Sequence, residues 1–410
     1  MSPETTPDRP SLPEGHPGHT RAIIACATVI SGTVLGLSGI DLVLPAVPSM
    51  PAIFGTDIAT SQLVLAAYVA GTAVGLLLFG VLAGHFGRRR LFIASLAGFG
   101  IVSLAAAMTD NIWELIALRV LQGAIGSGPA VLAPGLIRNL FDEIGTVRAI
   151  SAMGSIESLV PGFAPILGAW LFVAHGWQAS FTVTGTATLV VVAIVALIPH
   201  LLPHIGTKSS HQMSGYRALA GNPTFLRYAV SHALVLGGLL TFVFSAPAVI
   251  ITTMGGTISD FILMQAIGVG TFVVTANMSG TLVKRFGIET VITAGTAIAT
   301  FGALALALYG AFGPNNPHHL AYLFWILNTG LGVRGGPGFV RAIAAGGGDD
   351  DRASALAILA IMGVSSGCTA LVAPLIPYGL AAVTGAILLI VAPALLLIIR
   401  LKPLEDNPPA

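Results

Sequence analysis

The sequence predicts an all-α integral membrane protein in which twelve transmembrane helices form two halves of six. Three observations indicate this fold: a scarcity of charge, the recurrence of long apolar runs, and a motif that occurs once in each half. Of the 410 residues, 55% are hydrophobic and only 9% are charged, whereas a soluble domain carries about 25% charged residues to hydrate its surface. Most of the protein surface is therefore expected to face lipid.

Apolar runs of about 18 to 25 residues recur along the chain, and each is long enough to cross a hydrocarbon core of about 30 Å as a helix. We number them spans 1 to 12. They cover residues 21–47, 61–84, 91–108, 112–141, 149–175, 181–198, 226–251, 261–282, 288–312, 320–344, 353–376 and 379–399. Pairs of glycines four residues apart, which allow close helix packing, are Gly32/Gly36, Gly71/Gly75 and Gly80/Gly84.

The distribution of basic residues predicts the orientation of the chain. All but Arg119 and Arg334 of the 18 Lys and Arg residues lie near the termini or in every second loop, and the intervening loops contain none. Short cytoplasmic loops hold an excess of basic residues, so both termini are expected in the cytoplasm. The net charge of +1 provides no basic field for nucleic acid, which is excluded as a partner.

These patterns divide the chain into five parts. Residues 1–20 are polar and Pro-rich and predict a disordered cytoplasmic N-terminus, followed by the N-terminal half over residues 21–201. Residues 202–225 form the longest polar interval inside the chain and predict a cytoplasmic linker. The C-terminal half covers residues 226–400, and residues 401–410 form a cytoplasmic tail.

The two halves share a motif at a displacement of 200 residues. Gly80, Leu82, Phe86 and Gly87 recur as Gly280, Leu282, Phe286 and Gly287. A weaker echo pairs Gly128-Pro129 in span 4 with Gly336-Pro337 in span 10. Parallel repeats of six spans place a substrate site near the midplane between the halves and permit alternating access by rocking. The architecture therefore predicts a transporter.

Several segments resemble motifs of the major facilitator superfamily. They are Gly80-Val-Leu-Ala-Gly-His-Phe-Gly-Arg-Arg-Arg90 between spans 2 and 3, Arg119-Val-Leu-Gln-Gly123 with Gly126 in span 4, and Pro161-Gly-Phe-Ala-Pro-Ile-Leu-Gly168 in span 5. The segments Asp41-Leu-Val-Leu-Pro-Ala-Val-Pro48 and Gly176-Trp-Gln-Ala-Ser-Phe181 are similar to the bicyclomycin-resistance and drug–proton antiporter group, which has twelve spans.

The resemblance implies gating or conformational roles for seven residues and a proton as the coupling ion, with no cofactor. These residues are Gly80, Gly87, Arg88 and Arg89 in the loop motif and Pro161, Pro165 and Gly168 in span 5. Two departures qualify what is carried over. Gly84 stands where the loop motif usually has an acid. The charge interaction that ordinarily holds the cytoplasmic ends of the two halves together is therefore expected to be weakened or replaced. Thr33 stands where some multidrug members that handle cations have a second acid, which puts cationic substrates in doubt.

Four charged residues stand out because they lie away from the loops and inside the spans, where an ionised side chain costs at least about 2.5 to 3.5 kcal/mol. They are Asp41, Arg119, Glu157 and Arg334. Asp41 and Arg119 have compatible depths, and we expect either a permanent salt bridge or a pair that titrates during transport. Glu157 is the second candidate for proton coupling.

Arg334 lies in the glycine-rich run 330–338 and has three possible roles. It would close a cytoplasmic gate by pairing with Glu157, bind an anionic substrate group in the cavity, or act structurally. His232 would relay protons or lie at the membrane interface. Gln122, Asn328 and Tyr68 are candidates for substrate contact, although the two amides would also serve as bonds between helices.

The leading function predicted from the sequence is proton-coupled export of a small amphipathic molecule, either a drug or a metabolite. The alternative is a proton-coupled importer of a small organic anion bound at Arg334. Neither a metal-ligand cluster, a nucleophile motif nor a phosphate-binding loop occurs, so we expect no enzyme, no metal and no direct use of ATP. The expected partners are the lipid bilayer, protons and the substrate, with the protein acting as a monomer in a bacterial inner membrane.

Overall fold

The computed structural model describes residues 19–198, 202, 219–347 and 350–404, which are helical apart from turns and short connections and contain no strand. The predicted all-α fold is therefore confirmed for this part of the chain. Residues 1–18, 203–218 and 405–410 lie outside the described residues. The predicted disordered N-terminus and most of the predicted linker and tail fall there and stay predictions.

The helices follow the twelve predicted spans in order. In the N-terminal half they are His19–Asp41 (span 1), Ile58–Phe86 (span 2), Arg88–Ala107 (span 3), Ile112–Gly126 with Gly128–Arg138 (span 4), Glu143–His175 (span 5) and Gln178–Leu197 (span 6). In the C-terminal half they are Pro223–Ala248 (span 7), Ile258–Phe286 (span 8), Ile288–Phe312 (span 9), Pro317–Ala344 (span 10), Asp350–Val372 (span 11) and Leu380–Arg400 (span 12).

The outer ends of three spans continue as short helical turns. Span 1 is followed by a 3₁₀ turn over Leu44–Ser49 and a short helix over Met50–Phe54, span 7 by a π turn over Val249–Thr253, and span 11 by a 3₁₀ turn over Ala373–Tyr378. Span 4, predicted as one run, is broken at Ser127. Pro129 just after the break has no amide hydrogen to donate within the helix.

Eleven candidate segments in the described part of the chain are long and apolar enough to cross a membrane, and span 10 is not among them. This helix is 28 residues long but contains Arg334, Arg341 and a run of glycines, which lower its apolar character. It packs along spans 8 and 9. Span 10 is therefore held in place by contact with the neighbouring helices, which compensates for its lower apolarity.

The repeated motif has the same backbone geometry in both halves. Gly87 joins spans 2 and 3 with φ +81°, and Gly287 joins spans 8 and 9 with φ +81°. A positive φ of this size is readily adopted only by glycine. The displacement of 200 residues seen in the sequence thus corresponds to two equivalent sharp turns between helices.

Glycines allow spans 2 and 4 to touch along their backbones, as the small-residue spacing predicted. A Cβ added at Gly71 would overlap the carbonyl oxygen of Val120, and one at Gly75 would overlap that of Ala124. Gly36 similarly approaches Gly126, whose oxygen would lie 2.5 Å from an added Cβ. Gly80 differs, because nothing lies within 4 Å of an added Cβ there.

We expect Gly71→Val to destabilise the purified protein by at least about 1 kcal/mol, since the added methyl groups must push two backbones apart. The measurement is the thermal midpoint in detergent. Gly270→Val is the matched control, because Gly270 is also helical but has nothing within 4 Å of an added Cβ. Equal midpoints for the two variants would contradict the close approach of spans 2 and 4.

The buried apolar clusters show which side of the protein is closed. The largest cluster combines residues of both halves, and its N-terminal members, such as Leu44 and Val64, lie near the outer ends of their spans. Two further clusters lie towards the cytoplasmic ends, one within the N-terminal half around Phe92 and one within the C-terminal half around Phe225. The halves therefore share a core on the outer side and separate towards the cytoplasm. With the orientation predicted from the basic loops, this is an inward-facing conformation.

A charged cluster holds the cytoplasmic end of the C-terminal half together. Glu289, at the start of span 9, accepts hydrogen bonds from Arg227 at 2.9 Å and from Tyr228 at 2.6 Å, and Arg341 lies 3.2 Å away. The backbone amide of Leu404 donates to the Tyr228 hydroxyl at 2.9 Å. The beginning of the tail is thus tied to span 7.

Candidate functional site

A cavity of about 370 Å³ lies between the two halves. Spans 1, 2, 4 and 5 line it on one side and spans 7, 8, 10 and 11 on the other. Its polar or charged lining residues are Thr33, Asp41, Tyr68, Thr72, Ser127, Glu157, Gln265 and Asn328. The rest of the wall is mainly aliphatic and aromatic. A site between the halves agrees with the position predicted from the repeat.

Among the described residues that line the cavity, Asp41 and Glu157 are the charged ones, and none is a Lys or Arg. Asp41 ends the span 1 helix near the closed outer side and is only 6% exposed. Glu157 is partly buried in the middle of span 5. Neither carboxylate forms a hydrogen bond or ion pair with another described residue. In this conformation the described residues thus leave either acid to be neutralised by a proton or by an occupant of the cavity.

Arg119 is fully buried in span 4 and binds span 1 and span 2 through their backbones. Its guanidinium donates to the carbonyl oxygen of Val64 at 3.0 Å and of Gly39 at 2.8 Å, and to Gln122 Oε1 at 2.6 Å. The carbon of the guanidinium lies 4.1 Å from the centre of the Tyr68 ring, a cation–π distance. These contacts fix Arg119 as a junction of three spans.

The expected ion pair between Asp41 and Arg119 is absent from this conformation. Arg119 instead binds the carbonyl of Gly39, two residues before Asp41 in span 1. Its Nη2 is buried and has no partner, so the guanidinium keeps one donor unused. Spans 1 and 4 are joined as predicted, but through a backbone oxygen rather than a carboxylate.

Gln122 also departs from its predicted role as a substrate contact. It is 1% exposed, does not line the cavity, and its Nε2 donates to Ser103 Oγ at 2.7 Å while Oε1 accepts from Arg119. Both ends of the amide are therefore occupied by protein. The alternative weighed for Gln122, a bond between helices, is the one that this conformation contains.

Arg334 lies away from the cavity, which corrects its assignment as a substrate contact in this conformation. It is fully buried between spans 10 and 7 and donates to Ser231 O at 2.9 Å and Ser231 Oγ at 3.0 Å. The expected cross-half bridge to Glu157 is also absent, because Glu157 faces the cavity. The sequence marked Arg334 as unusual but could not indicate the side to which its helix turns it.

His232, on span 7, lies near Arg334 of span 10 and is 6% exposed. Its ring centre lies 6.0 Å from that of Phe339, and its Nδ1 is buried without a partner. The ring is therefore packed inside the protein, and its expected position at the membrane interface stays a prediction. A proton-relay role stays a prediction.

Tyr68 and Asn328 do line the cavity, as a substrate contact must. The Tyr68 hydroxyl donates to the carbonyl oxygen of Gly36, so the ring is held between the cavity and Arg119. Asn328 Nδ2 donates to the carbonyl of Phe324 at 3.0 Å. This leaves the Asn328 carbonyl oxygen available to a ligand.

The four motif residues of the cytoplasmic loop are not among the residues that line the cavity. Arg88 crosses Gly135 of span 4 so closely that its guanidinium occupies the place of a Cβ there. Arg89 follows at the start of span 3 and is partly buried. Their gating role, like that of Gly80 and Gly87, stays a prediction.

The span 5 motif contacts both the other half and span 1. An added Cβ at Gly168 would overlap the carbonyl oxygen of Leu42, the residue after Asp41. Pro161 lines the cavity and its carbonyl oxygen accepts a hydrogen bond from Gln265 Nε2 at 3.1 Å. Pro165 lies one turn further along the helix. Of the predicted conformational residues of span 5, Pro161 thus lies where the two halves meet, and Gly168 packs against span 1.

Gln265 in span 8 is a site residue that sequence reasoning missed. Its side chain lines the cavity, is 4% exposed and bonds across to Pro161. An amide side chain inside an apolar span is a signal that could have marked it. Among the described residues, no group of three or more His, Cys, Asp or Glu side chains is placed to hold a metal ion.

Comparison with known sequences identifies the family of the chain. Residues 26–370 match the family model of the Major Facilitator Superfamily. The chain is similar to a chloramphenicol resistance protein of Pseudomonas aeruginosa, at 27% identity over 319 residues that cover 74% of each chain. A bicyclomycin resistance protein homolog of Haemophilus influenzae is 24% identical over 277 residues, which cover 66% of this chain and 69% of the relative. The multidrug resistance protein MdtL of Escherichia coli is 24% identical over 311 residues, covering 75% and 77%.

Solved structures agree with the fold. A D-xylose–proton symporter superposes with a TM-score of 0.68 at 14% identity, covering 93% of this chain and 98% of the other. A bacterial homolog of the human lysosomal transporter Spinster, solved inward-facing and unoccupied, gives a TM-score of 0.68 at 13% identity and covers 93% and 96%. Fold, spans and family model agree, and this chain belongs to the Major Facilitator Superfamily as a multi-pass membrane transporter.

Proposed function

We propose that this chain is a proton-coupled exporter of small amphipathic molecules, either drugs or metabolites. It works by alternating access, in which the two halves rock about the central cavity. A proton moving inward supplies about 2.3 kcal/mol per 100 mV and about 1.4 kcal/mol per pH unit. This energy sustains a substrate gradient of tens to hundreds-fold.

The composition of the cavity carries this proposal. Asp41 and Glu157 are its charged lining residues, and the remaining wall is largely apolar. Two carboxylates without protein partners are available to a proton or to a polar group of the substrate, while the apolar wall favours a molecule with a hydrophobic body. A proton and a substrate that compete for the same cavity acid give antiport.

The names of the similar proteins support an antibiotic as cargo. The relatives compared above are a chloramphenicol resistance protein, a bicyclomycin resistance protein homolog and a multidrug resistance protein. Chloramphenicol fits the cavity chemistry in having an aromatic body, hydroxyl and amide donors and no charge. We therefore take chloramphenicol as the first probe of transport.

Import of an organic anion is the less favoured function. It required Arg334 to face the cavity, whereas Arg334 is buried against Ser231 and the cavity contains two acids. Like charges repel, so an organic anion would enter this cavity only against the field of Asp41 and Glu157.

The test is proton efflux from acid-loaded inverted vesicles that contain the purified protein. Chloramphenicol added outside should drive protons out and accumulate inside, and a protonophore should abolish the accumulation. Empty vesicles and vesicles with Asp41→Asn protein are the controls. Accumulation that persists in the presence of the protonophore would contradict proton coupling. Proton movement stimulated by organic anions alone would favour the importer.

A further inference from the structure

The hydrogen bond between Gln265 and Pro161 crosses from one half of the protein to the other. Gln265 Nε2 in span 8 donates to the carbonyl oxygen of Pro161 in span 5 at 3.1 Å. A carbonyl oxygen can only accept, so the amide nitrogen of Gln265 must face it. The contact therefore has one chemical direction and depends on that oxygen being available.

Pro165 makes the oxygen available. In an α-helix the carbonyl of residue i accepts from the amide of residue i+4, and the residue four positions after Pro161 is Pro165. Proline has no amide hydrogen, so the carbonyl of Pro161 lacks its partner within the helix. The Pro161 carbonyl is partly buried and lines the cavity, and Gln265 supplies the missing donor from the other half.

The neighbouring residues bring the two helices close enough for this bond. An added Cβ at Gly162 would lie 3.1 Å from Val269 Cγ1, one turn after Gln265. The Gln265 side chain is only 4% exposed, and its Oε1 is buried without a partner. Gln265 lines the same cavity as Asp41 and Glu157. A change in what occupies the cavity can therefore alter this hydrogen bond.

A second cross-half bond provides a comparison. Ser366 Oγ in span 11 donates to the carbonyl oxygen of Ala66 in span 2 at 2.9 Å. Residue 70, four positions later, is an alanine with an amide hydrogen, so the Ala66 oxygen already has a partner available within its own helix. Loss of Ser366 leaves no orphaned acceptor, whereas loss of Gln265 does.

We infer that Gln265 is a latch which holds the halves together in the inward-facing conformation, and that Pro165 creates its acceptor. The latch rests on alternating access, which is part of the proposed function. When the outer side opens, spans 5 and 8 separate, and the Pro161 carbonyl loses Gln265 as its donor. Weakening the latch therefore shifts the protein towards the outward-open conformation.

The experiment measures how often the outer side opens. Cys26 and Cys368 are first replaced by serine, so that the protein has no other thiol. Ala46→Cys then adds a single probe in the outer turn Leu44–Ser49, which packs against span 7. Ala46 is only 1% exposed in this conformation. Whole cells are labelled with a membrane-impermeant maleimide. Labelling requires the outer side to open and requires no substrate.

Gln265→Leu and Pro165→Ala should each raise the labelling rate by about twofold to tenfold, the factor that corresponds to a net hydrogen bond of about 0.5 to 1.5 kcal/mol. Pro165→Ala does so because it restores the amide that competes for the Pro161 carbonyl. The double variant should label no faster than the faster single variant, since both changes remove one bond. Ser366→Ala should change the rate less than either.

Pro393→Ala is the control for removing a helical proline, because Pro393 is exposed on span 12. An increase for only one of the two latch variants, or additive increases in the double variant, would overturn the latch. So would unchanged labelling in both. Because the readout uses no drug, a protein that fails to export chloramphenicol can still pass or fail this test.

Discussion

Asp41→Asn should abolish uphill export while chloramphenicol binding and downhill exchange survive. Asparagine has the shape of a protonated aspartate but cannot release a proton, so the coupling reaction stops. The accumulation ratio driven by a proton gradient should fall from tens to hundreds-fold to about one. Counterflow of labelled chloramphenicol in vesicles measures the exchange that should remain.

The position of Asp41 explains why the effect should be so large. Its carboxylate lines the closed end of the cavity without a protein partner, and it ends a helix, where a negative charge is disfavoured. The Nη2 of Arg119 is also unpartnered, so a movement of spans 1 and 4 that joins the two would stabilise the ionised acid. Proton release would then depend on conformation.

Asp110→Asn is the matched control for the charge change, because Asp110 is exposed in an outer loop away from the cavity. It should export normally. If the Asp41→Asn protein still accumulates chloramphenicol with its usual pH dependence, Asp41 is a structural residue. Glu157 would then be the next candidate for the coupling acid.

Glu157→Gln should discriminate between charged and neutral cargo. At about 8 Å and an effective dielectric constant of about 20, a carboxylate attracts a cation by roughly 2 kcal/mol, or about thirtyfold in affinity. We therefore expect the variant to lose about that factor in affinity for tetraphenylphosphonium. Affinity for uncharged chloramphenicol should change by less than about twofold.

Both affinities can be measured on the same purified protein by quenching of tryptophan fluorescence or by equilibrium dialysis. Chloramphenicol serves as the internal control for folding. An equal loss for both ligands would indicate that Glu157 shapes the cavity rather than acting by charge. No loss for the cation would mean that Asp41 alone attracts it, or that Glu157 is neutral when ligand binds.

The sequence was sufficient for the features that depend on local composition. Apolar runs together with the alternation of basic loops located twelve helices, and the repeat around Gly87 and Gly287 predicted two equivalent turns, which have the same φ. Even the weakest span, Pro317–Ala344, was placed correctly although its apolar content does not mark it. These predictions succeed because crossing lipid constrains each helix separately.

Partner choice was decided by the tertiary structure. Arg119 and Arg334 look alike in sequence, each being a base in the interior of an apolar span, yet both bind backbone oxygens inside their own half rather than an acid. Successive residues turn by about 100° around a helix, so a small rotation moves a side chain from the cavity to a helix contact. The hydropathy of a span depends on its composition and does not predict that rotation.

The bond between Gln265 and Pro161 illustrates the same division. The spacing of Pro161 and Pro165 is visible in the sequence and by itself determines that one carbonyl of span 5 lacks a helical donor. That this oxygen is bonded by a glutamine 104 positions later depends on how the two halves pack. A chain specifies its unsatisfied groups locally, but only the packing of distant helices determines what satisfies them.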